Sequence, residues 1–368
     1  IAPPTGQSPL MIAAEQGDAA AVKALLMHGA DPNARETAHG QTALMWAVSR
    51  RHNDVVKLLL DAHADVKART KSWTQRMLLC CQLYGGDEET AAMVAMGGFT
   101  PLLFAAQYGD VESAKLLVAA GADVNEAAAD GASAVVIAAH VGQSNVAAIL
   151  LDAGADPNAA GAGYTALHVA AARGDGLLVK ALLEHGANPN ARLQKGTPTK
   201  RVRSGHALDQ RMIGATPFVL AADSGRLEVM KLLRAKGADP ALPLRDGRTA
   251  LTVLAGQKTT EGPDLRDTET ASVIRLAVQL GTPVNQTTPP NGDTALHVAA
   301  KWRRDAVVQA LVDSGAALNT RNRAGETPLA AAIKPPDRPK GTVAADDYEN
   351  LVKHTSTADL LRKLGAKT

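Results

Sequence analysis

The chain has 368 residues, with 39 Lys plus Arg against 37 Asp plus Glu and a net charge of +2. That balance excludes a dedicated nucleic-acid binder, whose affinity needs a strongly basic face. Aromatic residues make up only 3% of the chain, which fits closely stacked small-residue helices better than a deep cofactor pocket. The two cysteines, Cys80 and Cys81, are adjacent. Neighbours strain a disulfide and two are too few for a zinc site, so they read as free or buried thiols.

One phrase recurs: Gly, a variable residue, Thr-Pro-Leu or Thr-Ala-Leu, Ala-Ala, then Leu-Leu and Gly-Ala-Asp. It begins at Ser8 and returns at Thr42, Thr100, Ser133, Thr165, Thr216, Thr249, Thr294 and Thr327. Uninterrupted steps are 32 to 34 residues, the period of a stacked helix-pair repeat. In the first repeat Val22, Leu25 and Leu26 set one apolar face on the second helix, at helical spacing. Gly29 closes that helix, where a left-handed residue is wanted. In the second repeat Val56, Leu59 and Leu60 repeat the stripe, but Arg51 and His63 stand where glycine is expected. A left-handed non-glycine residue costs about 1–2 kcal/mol, so altered local geometry is expected there and at Arg303.

The next step, from Thr42 to Thr100, is 58 residues and places an insertion near 71–97. In the fourth repeat, 132–151 contain no Asp, Glu, Lys or Arg, roughly the length of a membrane span. His140, Gly142, Gln143, Ser144 and Asn145 interrupt the run where a turn between helices falls, so it reads as a helix pair. The fifth repeat is the most regular, and a second insertion follows near 194–213. Others fall inside the seventh repeat near 258–267 and inside the ninth near 334–354. The ninth continues to a charged helix at Leu360, Leu361 and Leu364, which reads as a cap over the last apolar face. No signal peptide is visible, and a chain opening on Ile1 leaves room for a leader before it.

Gly163-Tyr164-Thr165-Ala166-Leu167-His168 with Ala170-Ala171, Gly174-Asp175, Leu182-Leu183 and Gly186-Ala187-Asn188 resembles the ankyrin repeat family. The resemblance implies an all-α solenoid of about nine helix-turn-helix repeats with short β-hairpin tips, a single domain over 1–368. It also implies that Thr165 caps its helix and exchanges hydrogen bonds with His168. The insertion from Lys71-Ser72-Trp73 to Gly97-Gly98-Phe99, with the layout of the others, resembles a group of bacterial ankyrin proteins that commonly carry export signals. An exported or periplasmic location follows from that likeness, a cytoplasmic one being the alternative.

No Walker loop, dinucleotide fingerprint, zinc-protease helix or nucleophile elbow is present, the motifs that would announce catalysis. His168 and His297 occupy capping positions, and His28 and His185 lie in a last helical turn, where a cation suits the dipole. No catalytic residue, metal ligand or cofactor is therefore expected. Asn285-Gln286-Thr287 forms a glycosylation sequon, yet Asn285 is the ordinary hairpin asparagine. The cluster Lys200, Arg201 and Arg203 reads as a solvated loop.

The family meets partners beside each tip glycine and at the exposed end of each first helix. Carried over, these positions include Gln41, Phe99, Tyr164 and Arg248 at tips, and Arg50, Tyr108, His140, Arg173 and Trp302 on helices. Trp46 and Phe104 either border the groove or pack between helices. The expected function is a non-catalytic scaffold that grips another protein, with no nucleic acid and no membrane insertion. The alternative is an enzyme-accessory or small-ligand-binding protein whose groove is covered by the first two insertions. Tyr164 and Trp302 are expected to be exposed anchors whose removal weakens binding with little change in melting temperature.

Overall fold

The computed structural model describes residues 6–78, 91–197, 208–256, 267–289, 291–334 and 356–367. Cys80, Cys81, Lys200, Arg201, Arg203 and most of 258–267 and 334–354 lie outside them. The described chain is a stack of helix pairs, as its periodicity requires. The first helices are α1 (Pro9–Gln16), α3 (Ala43–Arg50), α5 (Pro101–Tyr108), α7 (Ala134–Val141), α9 (Ala166–Arg173), α11 (Pro217–Asp223), α13 (Ala250–Ala255), α15 (Ala295–Lys301) and α17 (Pro328–Ile333). Their partners are α2 (Ala19–Met27), α4 (Asn53–Asp61), α6 (Val111–Ala119), α8 (Ser144–Asp152), α10 (Gly176–Glu184), α12 (Leu227–Ala235), α14 (Asp267–Gln279), α16 (Asp305–Asp313) and α18 (Ser356–Lys363).

Each first helix starts at the recurring hydroxyl. Thr42, Thr100, Ser133 and Thr216 accept the backbone N–H of the third helical residue at 3.4 Å. This satisfies a donor that a helix terminus otherwise leaves unpaired. Helices α1, α5, α11 and α17 open with proline, whose missing N–H is no loss at a helix start. The paired alanines, such as Ala170 and Ala171, are fully buried and let consecutive first helices pack closely. In the second helices the Val-Leu stripe turns inward, burying Val22, Val56, Leu59, Val179, Leu182, Val308 and Leu311. The run at 132–151 is α7 and α8 joined through left-handed Gly142. Among the described residues no helix is long and apolar enough to cross a membrane.

A ladder of asparagines joins the tips. Asn125, Asn158 and Asn190 each accept, at 2.7 Å, the N–H of the residue one repeat further on: Asp156, Asn188 and Asp239. Asn158 and Asn190 also donate onward to the carbonyls of Gly186 and Gly237. Asn285 does both, to Ala317 and Gly315, which explains its place in the sequon. Asn190 reaches Asp239 across the second insertion, so the ladder continues past it.

Arg51, His63 and Arg303 are the positive-φ residues other than glycine among the described residues, with φ of 63°, 59° and 55°. The expected change in local geometry does not occur: the backbone keeps the left-handed turn that glycine makes elsewhere. The His63 side chain is exposed, so little offsets the strain. His63→Gly is expected to stabilise the chain by about 0.5–1 kcal/mol, the relieved strain less the greater freedom of glycine when unfolded. Urea unfolding of the two proteins checks this, and an unchanged or lower midpoint would contradict it.

Trp302, expected to be an exposed anchor, is half-buried, and the arginine two residues on is not a solvated charge. Arg304 is 5% exposed and binds Asp267 at 2.8 Å, the Leu254 carbonyl at 2.6 Å and Thr270 at 3.1 Å. It thus ties the start of α14 to α13 and α16. Helix α18 buries Leu361 and leaves Arg362 and Lys363 outward, as a charged capping helix should.

Candidate functional site

The first insertion is a β-hairpin. Strand β1 (Ser72–Leu78) pairs antiparallel with β2 (Ala91–Gly97), in the register Ser72↔Gly97, Trp73↔Met96 and Gln75↔Val94. Directly paired residues share a face, so Trp73, Met96 and Val94 lie on one side. The chain leaves the stack at Lys71, whose N–H donates to the His39 carbonyl at 2.7 Å. It returns through Gly97 and Gly98, both left-handed. A side chain at Gly97 would stand 2.1 Å from the Lys71 carbonyl, so only glycine closes this neck.

The tips on either side are braced beneath it. The Thr70 N–H donates to the Phe99 carbonyl, and the Phe99 N–H donates to the Thr70 hydroxyl, both at 2.9 Å. Arg69 donates to the carbonyls of Gly98 and Ala127 at 3.0 and 2.8 Å and pairs with Glu126 at 3.3 Å. Burial raises the Glu126 carboxyl above the usual range, and Arg69 only partly opposes this. Glu36 works one repeat earlier: burial pushes its carboxyl up, but N–H donors from Gln41, His39 and Ala38 together hold it below the usual range. The hairpin therefore rises from a rigid base.

Between the hairpin and helices α5 and α7 lies a cleft of about 580 Å³. Trp73, Met96 and Gly97 form one wall; Phe99, Phe104, Gln107, Ile137, His140 and Val141 form the other. His39, Gln41 and Asp130 also line it. Phe99 and Phe104 are tilted together with ring centroids 5.4 Å apart, and Phe104 stacks on Tyr108 at 6.3 Å. The His39 ring meets Trp73 edge-on at 6.4 Å.

Of the residues expected to meet a partner, Gln41, Phe99, Phe104 and His140 line this cleft, and Tyr108 stacks on Phe104 beside it. Trp46 is half-buried against the core on α3. Arg50 is held by Glu15 at 2.6 Å, and Arg248 by Asp246 at 2.7 Å. Arg173 donates to the His140 carbonyl at 3.0 Å, and Trp302 is half-buried at the end of α15. Tyr164 is not an exposed tip residue: it is 1% exposed, its ring edge-on to His140 at 5.2 Å. The tip turns that side chain inward, where His140 offers a ring for it to pack on. Sequence reasoning missed Trp73, Met96, His39 and Gln107 as site residues. The alternation in Ser72-Trp73-Thr74-Gln75 and the double glycine at 97–98 were the available signals for a strand pair.

His168 and His297 are buried capping residues, as expected. The Thr165 N–H donates to Nδ1 of His168 at 3.2 Å, and Nε2 faces the Ala191 carbonyl at 3.1 Å. His297 repeats this with Thr294 and Glu326. Burial pushes the His168 imidazole down to about 4, so it is neutral and acts as a structural pin.

A profile of three consecutive ankyrin repeats matches residues 2–70, 76–161, 102–193, 159–244 and 267–338. The chain belongs to the ankyrin repeat family. An ankyrin repeat and SAM domain-containing protein 6 of Rattus norvegicus is 37% identical over 90 residues, 24% of this chain and 10% of that protein. The neurogenic locus Notch protein of Drosophila melanogaster is 36% identical over 91 residues, 24% of this chain and 3% of its own length. An ankyrin repeat and KH domain-containing protein of Caenorhabditis briggsae is 27% identical over 332 residues, 85% of this chain and 11% of that protein. The chain thus spans about a tenth or less of these relatives. They are animal proteins and lend no support to the bacterial group that the insertion layout resembles.

Proposed function

We propose that the chain is a non-catalytic scaffold, one ankyrin domain with four insertions, that binds another protein through its concave groove and hairpin tips. The observation that carries this reading is the aromatic cleft where the β1–β2 hairpin overhangs helices α5 and α7. Aromatic side chains dominate interface energies, and a chain with 3% aromatics gathers Trp73, Phe99, Phe104 and Tyr108 around this one place. Phe99, Phe104 and Tyr108 are the contacts we assign first; Trp46, Arg50, Arg173, Arg248 and Trp302 extend the surface along the stack. The second reading is a small ligand roofed by the hairpin, whose contacts would be confined beneath that one insertion. Contacts spread over five or more repeats distinguish the first from the second.

Deletion of 72–96, with Lys71 rejoined to Gly97, tests the role of the hairpin. The stack is expected to stay folded, because repeats depend on nearest neighbours and the bracing bonds of Arg69, Thr70 and Phe99 lie outside the deletion. Protein captured from an extract of the source organism by the intact chain should be lost from the deletion variant at unchanged melting temperature. Cooperative unfolding of the variant would make the hairpin structural, and an intact chain that retains no protein would refute the scaffold reading.

A further inference from the structure

We infer that the cleft under the hairpin takes an extended peptide segment: a large apolar side chain enters between Trp73, Phe99 and Phe104, and the Gln41 and Gln107 carboxamides hold its backbone. This rests on reading the groove as a protein-binding surface and names the chemistry of the partner.

The cleft's size and lining call for an apolar group. Its volume of about 580 Å³ lies in the range of pockets that enclose a ligand of several side-chain-sized groups. Trp73 is 46% exposed although its neighbours Val94 and Phe104 are buried, so an indole ring stands at the cleft wall with a free face. A purely apolar occupant would nonetheless fit poorly. Gln41 and Gln107 both line the cleft and are half-buried, and their carboxamides bond to no described residue. Each carries an acceptor oxygen and a donor NH2, the complement of a peptide C=O and N–H. Covering them with hydrocarbon would strip them of water and give nothing in return, at the full desolvation penalty. An extended backbone has unpaired donors and acceptors to offer; a hydrocarbon ligand has none.

The test uses the full chain and a positional-scanning library of capped hexapeptides, with titration calorimetry on the best sequences. Retained peptides should concentrate Phe, Trp, Leu or Met at one position. Gln107→Met and Gln41→Met keep side-chain length and remove the amide; each should weaken the best peptide about tenfold, with the melting temperature unchanged. N-methylation of the held peptide bond should cost a similar factor in the wild type and much less in the Gln107→Met variant, a coupling that a merely structural glutamine would not show. Peptides that bind regardless of both glutamines refute the inference while leaving the scaffold reading intact. So does a captured partner protein that binds the two variants as tightly as wild type. Indole binding in the cleft with no hexapeptide retained, or no retention of any probe, overturns the inference as well.

Discussion

Tyr164→Ala is expected to destabilise the chain by about 3–5 kcal/mol, the usual cost of removing a buried aromatic ring. The ring is 1% exposed and among the largest fully buried side chains of the stack. It packs edge-on to His140 with centroids 5.2 Å apart, a favoured aromatic geometry. Alanine would leave a void between the fourth and fifth repeats, where Ala166 and Leu167 are already fixed by their own neighbours. Urea or thermal unfolding of wild type and variant reads the effect directly. Because the ring is enclosed, any loss of partner affinity should accompany the loss of stability. A variant that melts like wild type but binds a partner less well would place Tyr164 at the groove surface and contradict the packing described here.

Acid should unlock the fifth repeat through His168. In the native stack Nδ1 receives the Thr165 N–H and Nε2 donates to the Ala191 carbonyl, so the ring has no place for a second proton. Its pKa falls to about 4 from the ordinary 6.5, chiefly because burial penalises the charged form. The sign follows from proton counting. Between pH 6.5 and 4 the unfolded chain holds a proton that the folded chain excludes, so stability rises with pH across that window and is lost as pH falls through it. The loss from this group amounts to about 2 kcal/mol by pH 5 and about 3 kcal/mol by pH 4. His168→Gln keeps a side chain able to reach back to the cap, as in a Thr-x-x-Gln capping box, and removes the titration. Unfolding free energies measured from pH 7.5 to pH 4.5 should therefore fall less steeply in the variant. Equal slopes in the two proteins would show that His168 takes up a proton without unfolding.

The stack itself was legible in the residues. Thr42, Thr100, Ser133 and Thr216 announced helix starts because a hydroxyl is the group that satisfies an orphan N–H three residues on. The Val-Leu stripes announced buried faces because helical spacing brings them to one side. Even the exceptions could be located: Arg51, His63 and Arg303 interrupt the glycine pattern, and each keeps the left-handed backbone of the glycine it replaces. These signals are local, each spanning fewer residues than one repeat, and a solenoid is assembled from nearest neighbours.

The site was legible only in part. Phe99, Phe104 and Tyr108 could be picked out, but the insertion that faces them read as length without shape. Its strands are short and weakly alternating, and their pairing is a contact between residues up to 25 positions apart, Ser72 and Gly97. The fate of Tyr164 was equally invisible, because a variable tip residue turns inward or outward according to what the preceding repeat offers, and here that is the His140 ring. The sequence alone determined the repeat, its period and its capping chemistry, since these arise from hydrogen bonds and apolar spacing within about 33 residues. Tertiary structure alone decided that the hairpin folds back over α5 and α7, that Trp73 and Gln107 share a cleft, and that Tyr164 is core. Those outcomes depend on side chains from different repeats meeting in space, which no single repeat encodes.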